Sequence, residues 1–360
     1  MNSCRILLSS SAFCLFALGL LMVFNTGSAH ILDHFLAKDH YDLIFKQLMF
    51  CLLGTFLGLV VYSIGYRKIM SNSFFFYLLT LLLLLAVFVP GIGMQIKGAR
   101  RWISLLGLSF QPSEFAKYTI PLYFLYLVSH AEKLNLKKFI LILGVVFIPF
   151  FLIFIEPDNG TCFIILTTLL VLFILTKIPV SYWALPLVFV VILGAIGAYH
   201  MPHVPGRIKI YLHPESDLKG KGHQPFQAKI ATGSGRLFGK GLGKSMQKYS
   251  YLPEARSDYI AAIFAEEFGF IGILFLVGLY MTFLFCGYTI AIKCEDRLGF
   301  CIAFLMCFII AFQAFLNLGI VSGLLPSKGT TLPFVSQGGS SLMMNIIATC
   351  LLLNVSKKIA

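Results

Sequence analysis

The sequence predicts an all-α polytopic membrane protein with about ten transmembrane helices. Hydrophobic residues make up 58% of the 360 residues, and only 12% are charged, about half the share of a soluble domain. Apolar runs recur along the whole chain, and most approach the roughly 20 residues with which a helix crosses the hydrocarbon of a bilayer. If these runs alternate in direction, most of the short loops on one side are basic, as membrane topology requires.

The predicted spans follow one another from the first residues of the chain to the last. Several runs are shorter than an ideal span, and Gly or Pro inside them is tolerated where neighbouring helices bond the freed backbone groups. The ten runs lie near residues 6–25, 43–64, 74–90, 115–130, 139–155, 162–176, 183–199, 259–290, 300–323 and 340–356.

The short loops fix the predicted orientation. Cytoplasmic loops carry an excess of Lys and Arg, so the basic side is the cytoplasmic one and both termini are expected in the cytoplasm. The basic residues on this side are Arg5, Arg67, Lys68, Lys133, Lys137, Lys138, Lys177, Lys293, Arg297, Lys357 and Lys358.

The opposite side carries one long extracytoplasmic loop, about residues 200–258, between the seventh and eighth spans. A loop of this length is usually functional or disordered. No separate soluble domain is visible, so residues 1–360 are expected to form a single membrane domain.

The net charge of +13 suits loops that face anionic lipid, or a substrate that carries phosphate. No long basic run is present, which argues against a nucleic-acid partner. The nine cysteines lie almost wholly in apolar segments without a CxxC pair, so they indicate small buried side chains and neither disulfides nor a metal site.

The most polar stretch of the chain, 241–267, ends with carboxylates at the edge of an apolar run. Acids there are costly and are therefore functional candidates. Asp258 has two interpretations: Ser257 or Asp258 caps the following helix, or Asp258 is a general base held ionised beside Arg256. Glu266 and Glu267 would lie on different helix faces, so at most one is expected to share a cavity with Asp258.

A second polar cluster enters the fourth span. Pro112 suits the first turn of a helix, which makes Glu114 and Lys117 i, i+3 neighbours that can pair. One interpretation is a structural ion pair that locks this helix. The other is the polar wall of a substrate cavity.

The loop before this helix carries Arg100, Arg101 and Trp102. Basic residues on the outer side break the charge rule and suggest an anionic ligand, since guanidinium groups bind phosphate as forks. Trp102 is expected to anchor the chain at the interface, or alternatively to stack on a sugar ring.

Three further features have weaker patterns. The acids of the 156–161 turn either bind a hard cation or cap the next helix, and the cap is favoured. The glycines of 233–243, beside lysines, are typical of an anion cradle but match no P-loop. In the 326–341 stretch the glycines favour close packing, and Lys328 is the residue expected to be functional.

Four of these segments resemble the SEDS family (shape, elongation, division and sporulation proteins). They read GARRWISLLGLSFQPSEFAK, EPDNGT, GLGKSMQKYSYLPEARSDYIAAIFAEEFGFIG and LLPSKGTTLPFVSQGGSS. YLPEA and PSKG resemble the division branch more than the elongation branch. The chain departs from the family pattern at Asn159, at Arg256 and Ser257, where His and Thr are usual, and at Gln337, where Tyr is usual.

The resemblance implies a peptidoglycan glycosyltransferase that polymerises lipid II at the outer face of the cytoplasmic (inner) membrane. It implies a class B penicillin-binding transpeptidase and other division membrane proteins as partners. The essential aspartate of the family corresponds to Asp258, and cavity residues correspond to Trp102, Glu114, Lys117 and Lys328. Neutralisation of a lipid pyrophosphate leaving group is then expected from cations. The candidates are Arg100, Arg101, Lys117, Arg207 and Arg256. A divalent ion, Mg or Mn, is a further candidate, although the sequence shows no dedicated site for it.

Two other functions fit parts of the sequence. A lipid II flippase would also place polar residues inside a helix bundle, and a non-catalytic scaffold for the transpeptidase would need no acid at all. Because the acids gather at the outer side rather than through the membrane depth, the sequence favours an enzyme.

Overall fold

The computed structural model describes residues 2–34, 38–96, 99–105, 107–188, 192, 210–217, 220, 222–249 and 252–357. Residues 180–188 are helical, and Pro214–Asp217 forms a short 3-10 turn. The helices are α1 (Asn2–His34), α2 (Lys38–Ile64), α3 (Tyr66–Ser71), α4 (Ser73–Ala86), α5 (Pro112–Ser129), α6 (Leu136–Ile155), α7 (Asn159–Leu175), α8 (His223–Ser234), α9 (Ile260–Lys293), α10 (Arg297–Val321) and α11 (Gly339–Ser356).

The helices confirm the predicted membrane fold. Within the described residues, six helices are long and apolar enough to cross a membrane, and α4 and α7 are shorter apolar helices. Nine of the ten predicted spans coincide with a helix, the fourth with the largely buried α5. Most of the seventh predicted span, 183–199, lies outside the described residues.

One element was not predicted. The loop before α5 folds into an antiparallel three-stranded sheet in the order β1 (Gly93–Ile96), β2 (Ala99–Leu105) and β3 (Leu108–Phe110). Trp102 is paired with Met94 and Arg100 with Gln95 across the first two strands. The sheet gives the basic residues of this loop a fixed place at one end of the bundle.

The interior of the bundle is formed mainly by α5, α10 and α11. Helix α11 packs against α2 and α10, and α9 packs against α1 and α10. Helices α10 and α11 bury most of their residues, whereas α2 and α6 expose large apolar side chains over most of their surface. That exposure is expected where the neighbouring medium is lipid.

The basic loops meet at one end of the bundle, as the charge pattern predicts. Arg5 donates to the hydroxyl and carbonyl oxygens of Ser356, so the first and last helices are joined there. Arg297 donates to the carbonyl of Thr176 at 3.2 Å. Tyr66 donates to the Asp296 carboxylate at 2.7 Å, and Arg67 lies 3.4 Å from the same carboxylate. The candidate catalytic residues lie at the opposite end.

Candidate active site

A cavity of about 950 Å³ opens at the end of the bundle away from the basic loops. Its walls come from the turn after α6, from helix α8 and from the segment that follows α10. The lining includes the polar side chains of Arg101, Asp158, His223, Lys229 and Lys328, together with Gly329.

Asp258 stands behind the wall formed by Gly329. Its Oδ2 atom lies 3.0 Å from the position that a Cβ on Gly329 would occupy, and its side chain is half-buried. Asn317 donates to the Asp258 carbonyl at 2.8 Å and to the Thr330 carbonyl at 2.6 Å. The aspartate is therefore fixed against the cavity by α10 and by the segment that contains Gly329.

The capping interpretation of Ser257 and Asp258 is wrong. Helix α9 begins at Ile260, its cap position is Tyr259, and no side chain caps it. The preceding residues form turns instead, and Ser257 donates to the Glu254 carboxylate at 2.7 Å. Asp258 therefore lies one residue before the cap position of α9.

The segment around Asp258 is also tied to the start of α11. Ser336 donates through its hydroxyl to the Ser257 carbonyl at 2.6 Å, and the Gln337 amide donates to the Arg256 carbonyl at 3.0 Å. Arg256 is half-buried, and this burial lowers the pKa of its guanidinium. Gln337, which departs from the family pattern, makes this bond through its backbone, so the departure leaves it intact.

Asp158 is the most heavily bonded carboxylate of the cavity wall. It accepts from the Thr161 amide at 3.3 Å and the Thr161 hydroxyl at 2.9 Å, which confirms the predicted cap of α7. It also accepts from Ser113 at 2.7 Å and Gln111 at 3.0 Å. The start of α5 and the start of α7 are thereby held on one carboxylate.

Among the described residues of the predicted basic loop, Arg101 is the one that lines this cavity. Its Nε donates to the Glu156 carbonyl at 2.9 Å and one terminal nitrogen donates to the Pro157 carbonyl at 2.8 Å. Arg100 is exposed and Trp102 is half-buried on the neighbouring positions of β2, and neither is among the residues that line the cavity. Their substrate-binding roles stay predictions.

Glu114 and Lys117 form the predicted i, i+3 ion pair, with 2.6 Å between Nζ and Oε2. Lys117 is fully buried and also donates to the Gln313 side chain at 2.5 Å. Gln313 in turn donates to the carbonyl and the hydroxyl of Thr331, each at 2.9 Å. The pair is therefore a buried structural link between α5, α10 and the 328–331 segment, and its contact with substrate stays a prediction.

Lys328 is exposed on the cavity rim, with its ammonium 4.8 Å from the ring centre of Phe163. A cation over an aromatic face is stabilised by the ring electrons. Arg207, another predicted phosphate-binding residue, lies outside the described residues.

Sequence reasoning missed Gln313 and Asn317, which lie four residues apart on one face of α10. Both are buried, and both bond the 330–331 segment. Polar side chains inside an apolar span are costly and usually serve a purpose. The signal that could have identified them is their four-residue spacing within the apolar ninth span.

The glycine-rich 233–243 region and the residues after it do bind anions, but the anions belong to the chain itself. Lys240 lies 2.6 Å from Glu266, and Lys248 lies 3.2 Å from Glu267. Both glutamates are buried in this contact rather than placed in the wall of the cavity beside Asp258.

Glu156 is a buried acid in the turn that Arg101 holds. Its side chain is 1% exposed, and neither carboxyl oxygen has a hydrogen-bond partner among the described residues. Burial raises the pKa of Glu156 to about 8, the charge of Asp158 adds to the rise and Arg101 opposes it. The neutral form of this acid therefore suits the folded protein better than the ionised form.

Glu156→Gln should change how stability depends on pH. Because the folded-state pKa of about 8 exceeds the ordinary 4.5, the unfolded chain releases this proton first as the pH rises. The contribution of Glu156 to stability is thus full below pH 4.5 and is lost towards pH 8. Melting temperatures of the purified protein should show a smaller loss between pH 5 and pH 8 in the variant, and equal losses would contradict this assignment.

The described residues do not fit a resident metal ion. No group of three or more His, Cys, Asp or Glu side chains with the spacing of a metal site occurs among them. The Asp158 oxygens accept from side chains and an amide, and the Glu156 carboxyl lies beside the Arg101 cation.

Comparison with known proteins identifies the family. A sequence model of FtsW, RodA and SpoVE, described as cell cycle proteins, matches residues 5–360. The chain is 35% identical to the probable peptidoglycan glycosyltransferase FtsW of Trichlorobacter lovleyi, over 94% of this chain and 89% of that protein. It is 34% identical to the stage V sporulation protein E of Bacillus subtilis, over 95% and 94% of the two chains.

Solved structures agree with these relatives. One is described as the structural coordination of polymerization and crosslinking by a peptidoglycan synthase complex, and a chain of it matches with a TM-score of 0.78 and 25% identity over 97% of this chain and 96% of that one. The rod shape determining protein RodA of Thermus thermophilus matches with a TM-score of 0.69 and 26% identity over 98% and 96% of the two chains. The fold, the four motifs and the match over nearly the whole length place this multi-pass membrane protein in the FtsW/RodA/SpoVE family of cell cycle proteins, as the resemblance to SEDS proteins predicts.

Proposed function

We propose that the protein is a peptidoglycan glycosyltransferase that polymerises lipid II into glycan strands during cell division. One observation carries the proposal: a carboxylate, Asp258, stands against the wall of a large cavity whose rim carries the cations Arg101, Lys229 and Lys328. A base beside cations is the chemistry that transfer from a lipid pyrophosphate needs.

The proposed reaction has one bond formed and one broken. The hydroxyl of the acceptor sugar attacks the anomeric carbon of the donor while Asp258 takes the hydroxyl proton. The bond from the anomeric carbon to the pyrophosphate oxygen breaks, and the electron pair leaves with the lipid pyrophosphate. General-base catalysis of this kind typically contributes about 10²- to 10⁴-fold to the rate.

The leaving pyrophosphate is proposed to bind where the cations face the cavity. Two N–H groups of Arg101 donate to backbone carbonyls, so three of the five guanidinium donors remain for phosphate oxygens. Lys328 is exposed above Phe163, and Lys229 lies in the opposite wall from α8. Lys229 joins the set that the sequence predicted, and Arg100, Arg207 and Arg256 stay candidates.

A divalent cation, Mg or Mn, is proposed only as a companion of the substrate. The described residues do not form a ligand set for it, so a divalent ion would be bound mainly by the pyrophosphate oxygens. The chain would then contribute the position of the pyrophosphate rather than the metal site.

We propose that the cavity faces the outside of the cytoplasmic membrane and that both termini lie in the cytoplasm. The basic end of the bundle supports this orientation through the charge rule. A class B penicillin-binding protein is the proposed partner, since a similar chain was solved in a complex described as coordinating polymerization and crosslinking. Other divisome membrane proteins are proposed as further partners.

The test is lipid II polymerisation by the purified full chain in detergent, with and without its transpeptidase, and with and without a divalent cation. One lipid pyrophosphate is expected to be released for each glycosidic bond that forms. Glycan in no condition would overturn the proposal. Movement of lipid II across vesicles without polymerisation would establish the flippase instead.

Gly329→Ala should slow polymerisation without unfolding the protein. The new Cβ would lie 3.0 Å from Asp258 Oδ2, which is tighter than ordinary contact, so the carboxylate must shift. Displacing a reacting group by even a fraction of an ångström to 1 Å costs on the order of 10- to 100-fold in rate. Gly233→Ala is the matched control, because nothing lies within 4 Å of its Cβ. Equal rates for the two variants would place Asp258 away from the reacting atoms.

A further inference from the structure

Helix α9 is broken nine residues after it begins, about 14 Å along its axis. Gly269 has φ 66° and ψ −164°, a conformation that no helix contains. The residues before the break, from Ile260 to Glu267, are all buried, whereas Phe270 and Leu274 after it are each 60% exposed. The break therefore separates a short core helix, which follows Asp258, from a long helix on the outside of the bundle.

The backbone groups freed by the break are bonded by one stretch of the outer loop, residues 236–248, here called the inserted segment. The Lys240 amide donates to the Glu266 carbonyl and the Gly241 amide to the Glu267 carbonyl, both at 3.0 Å. In return, the amide of Phe270 donates to the Arg236 carbonyl at 2.9 Å. The amide of Ile271 donates to the Leu237 carbonyl at 3.2 Å.

These four bonds replace two. In an unbroken helix the carbonyls of Glu266 and Glu267 would accept from the amides of Phe270 and Ile271. The inserted segment takes all four groups instead. It approaches closely enough that a Cβ on Gly239 would lie 2.1 Å from the Glu267 carbonyl oxygen, which explains a glycine at that position.

The side chains of the same two residues bind the same segment. Glu266 accepts from Lys240 at 2.6 Å, from the Ser245 hydroxyl, and from the Met246 and Gln247 amides, both at 3.3 Å. Ser234 of α8 also donates to it at 3.4 Å, and these contacts leave the Glu266 carboxylate fully buried.

Glu267 accepts from the Ser245 amide at 3.3 Å, from Lys248 at 3.2 Å, and from Asn25 of α1. Lys248 also donates to Asn25 at 2.8 Å. Two buried carboxylates are thus balanced by two lysines of the inserted segment, with α1 as a third support.

We propose that Glu266 and Glu267 are positioning residues: by binding the inserted segment at the break in α9, they set where the core helix, and with it Asp258, stands against the cavity. The inference rests on the proposed function of Asp258. Loss of the segment would let the carbonyls of Glu266 and Glu267 rejoin the amides of Phe270 and Ile271. Gly269 has no Cβ and accepts both the broken and the helical conformation.

Rejoining the two parts of α9 would move Asp258. Only Tyr259 separates it from the first residue of the core helix, and its carbonyl is fixed to Asn317. A core helix that turns to join the outer helix must move the aspartate relative to Asn317 and Gly329. The inserted segment would thereby determine the position of Asp258, and so the rate of the reaction, without contacting the substrate.

The test uses the full chain, with its transpeptidase if activity requires one. Lys240→Ala removes the 2.6 Å bond to Glu266, and because Lys240 is 35% exposed on its side chain the variant is expected to fold. Lys244→Ala, an exposed lysine four residues further along the same segment, is the matched control, and Lys240→Arg should keep the wild-type behaviour. Gly269→Ala is an independent variant, because a Cβ there would lie 2.3 Å from the Gly239 amide, and Gly278→Ala is its control in open space.

Two readouts are compared in each variant. Amide hydrogen exchange over 236–248 reports whether the segment is bound, because the Lys240 and Gly241 amides lose their partners when it leaves. Lipid II polymerisation reports kcat, KM and the pH profile of kcat for the folded fraction. Lys240→Ala should raise exchange, lower kcat by about tenfold at nearly constant KM, and shift the acid limb of the profile.

The outcomes separate the inference from the proposed function. Faster exchange with an unchanged kcat and pH profile would overturn it, and so would a lower kcat without faster exchange. A fall in activity that only follows the folded fraction would show a purely structural role and would also overturn it. If the wild-type chain makes no glycan at all, the proposed function fails instead.

Discussion

Asp258→Asn is expected to lower the rate of lipid II polymerisation by about 10²- to 10⁴-fold, the contribution of a general base. The amide has the shape of the carboxylate and can occupy the same space beside Gly329. It cannot accept the proton of the attacking hydroxyl. The Asn317 bond to the Asp258 carbonyl involves only the backbone, so the turn should keep its place.

The measurement is glycan formed per folded molecule, with the melting temperature recorded beside it. Glu215→Gln, an exposed acid of the same outer loop, should leave both values unchanged. The acid limb of the wild-type pH profile should disappear in Asp258→Asn, because no carboxylate is left to titrate in the reaction. A variant that retains more than about a tenth of the activity would assign the base to another residue.

The membrane fold could be predicted because hydropathy is a local property. All ten runs were recognised by composition alone, and nine of them coincide with a helix among the described residues. The three-stranded sheet at 93–110 could not be predicted in this way. Its strands are short, and their pairing depends on neighbours such as Trp102 and Met94, whose contact no hydropathy pattern reveals.

In the candidate site, too, local contacts could be predicted and contacts between distant segments could not. The Glu114–Lys117 pair and the Asp158 cap are contacts within three residues, and both were predicted correctly. The bonds of Gln313 to Thr331 and of Asn317 to Asp258 join distant segments, and a single sequence does not show which polar groups will meet.

The inserted segment shows how a correct chemical signal can have an unexpected partner. Glycines beside lysines predicted an anion, and the structure does place anions there. The anions are Glu266 and Glu267, which the sequence suggested as possible neighbours of Asp258. Only the course of the chain, which returns the outer loop into the break of α9, decides between a bound phosphate and an internal carboxylate.

Lys117→Met should destabilise the folded protein by about 3–5 kcal/mol, since removing one partner of a buried ion pair leaves the other charge without compensation. Lys117 is fully buried and Glu114 is 7% exposed, so water cannot replace the lost ammonium. The free energy of unfolding in mixed detergent micelles measures the effect. Arg67→Met is the control, because the Arg67–Asp296 pair is 3.4 Å long with Arg67 65% exposed, and such pairs contribute below about 1 kcal/mol.

The double variant Glu114→Gln/Lys117→Met then separates the two roles of the pair. With both charges gone, no buried ion is left uncompensated, so most of the lost stability should return. If polymerisation returns with it, the pair only locks α5 against Gln313 and α10. If the protein is stable again but inactive, the charges act on the substrate. If the double variant is no more stable than Lys117→Met, an uncompensated Glu114 charge does not cause the loss of stability. The lost hydrogen bond from Lys117 to Gln313 would then be its cause.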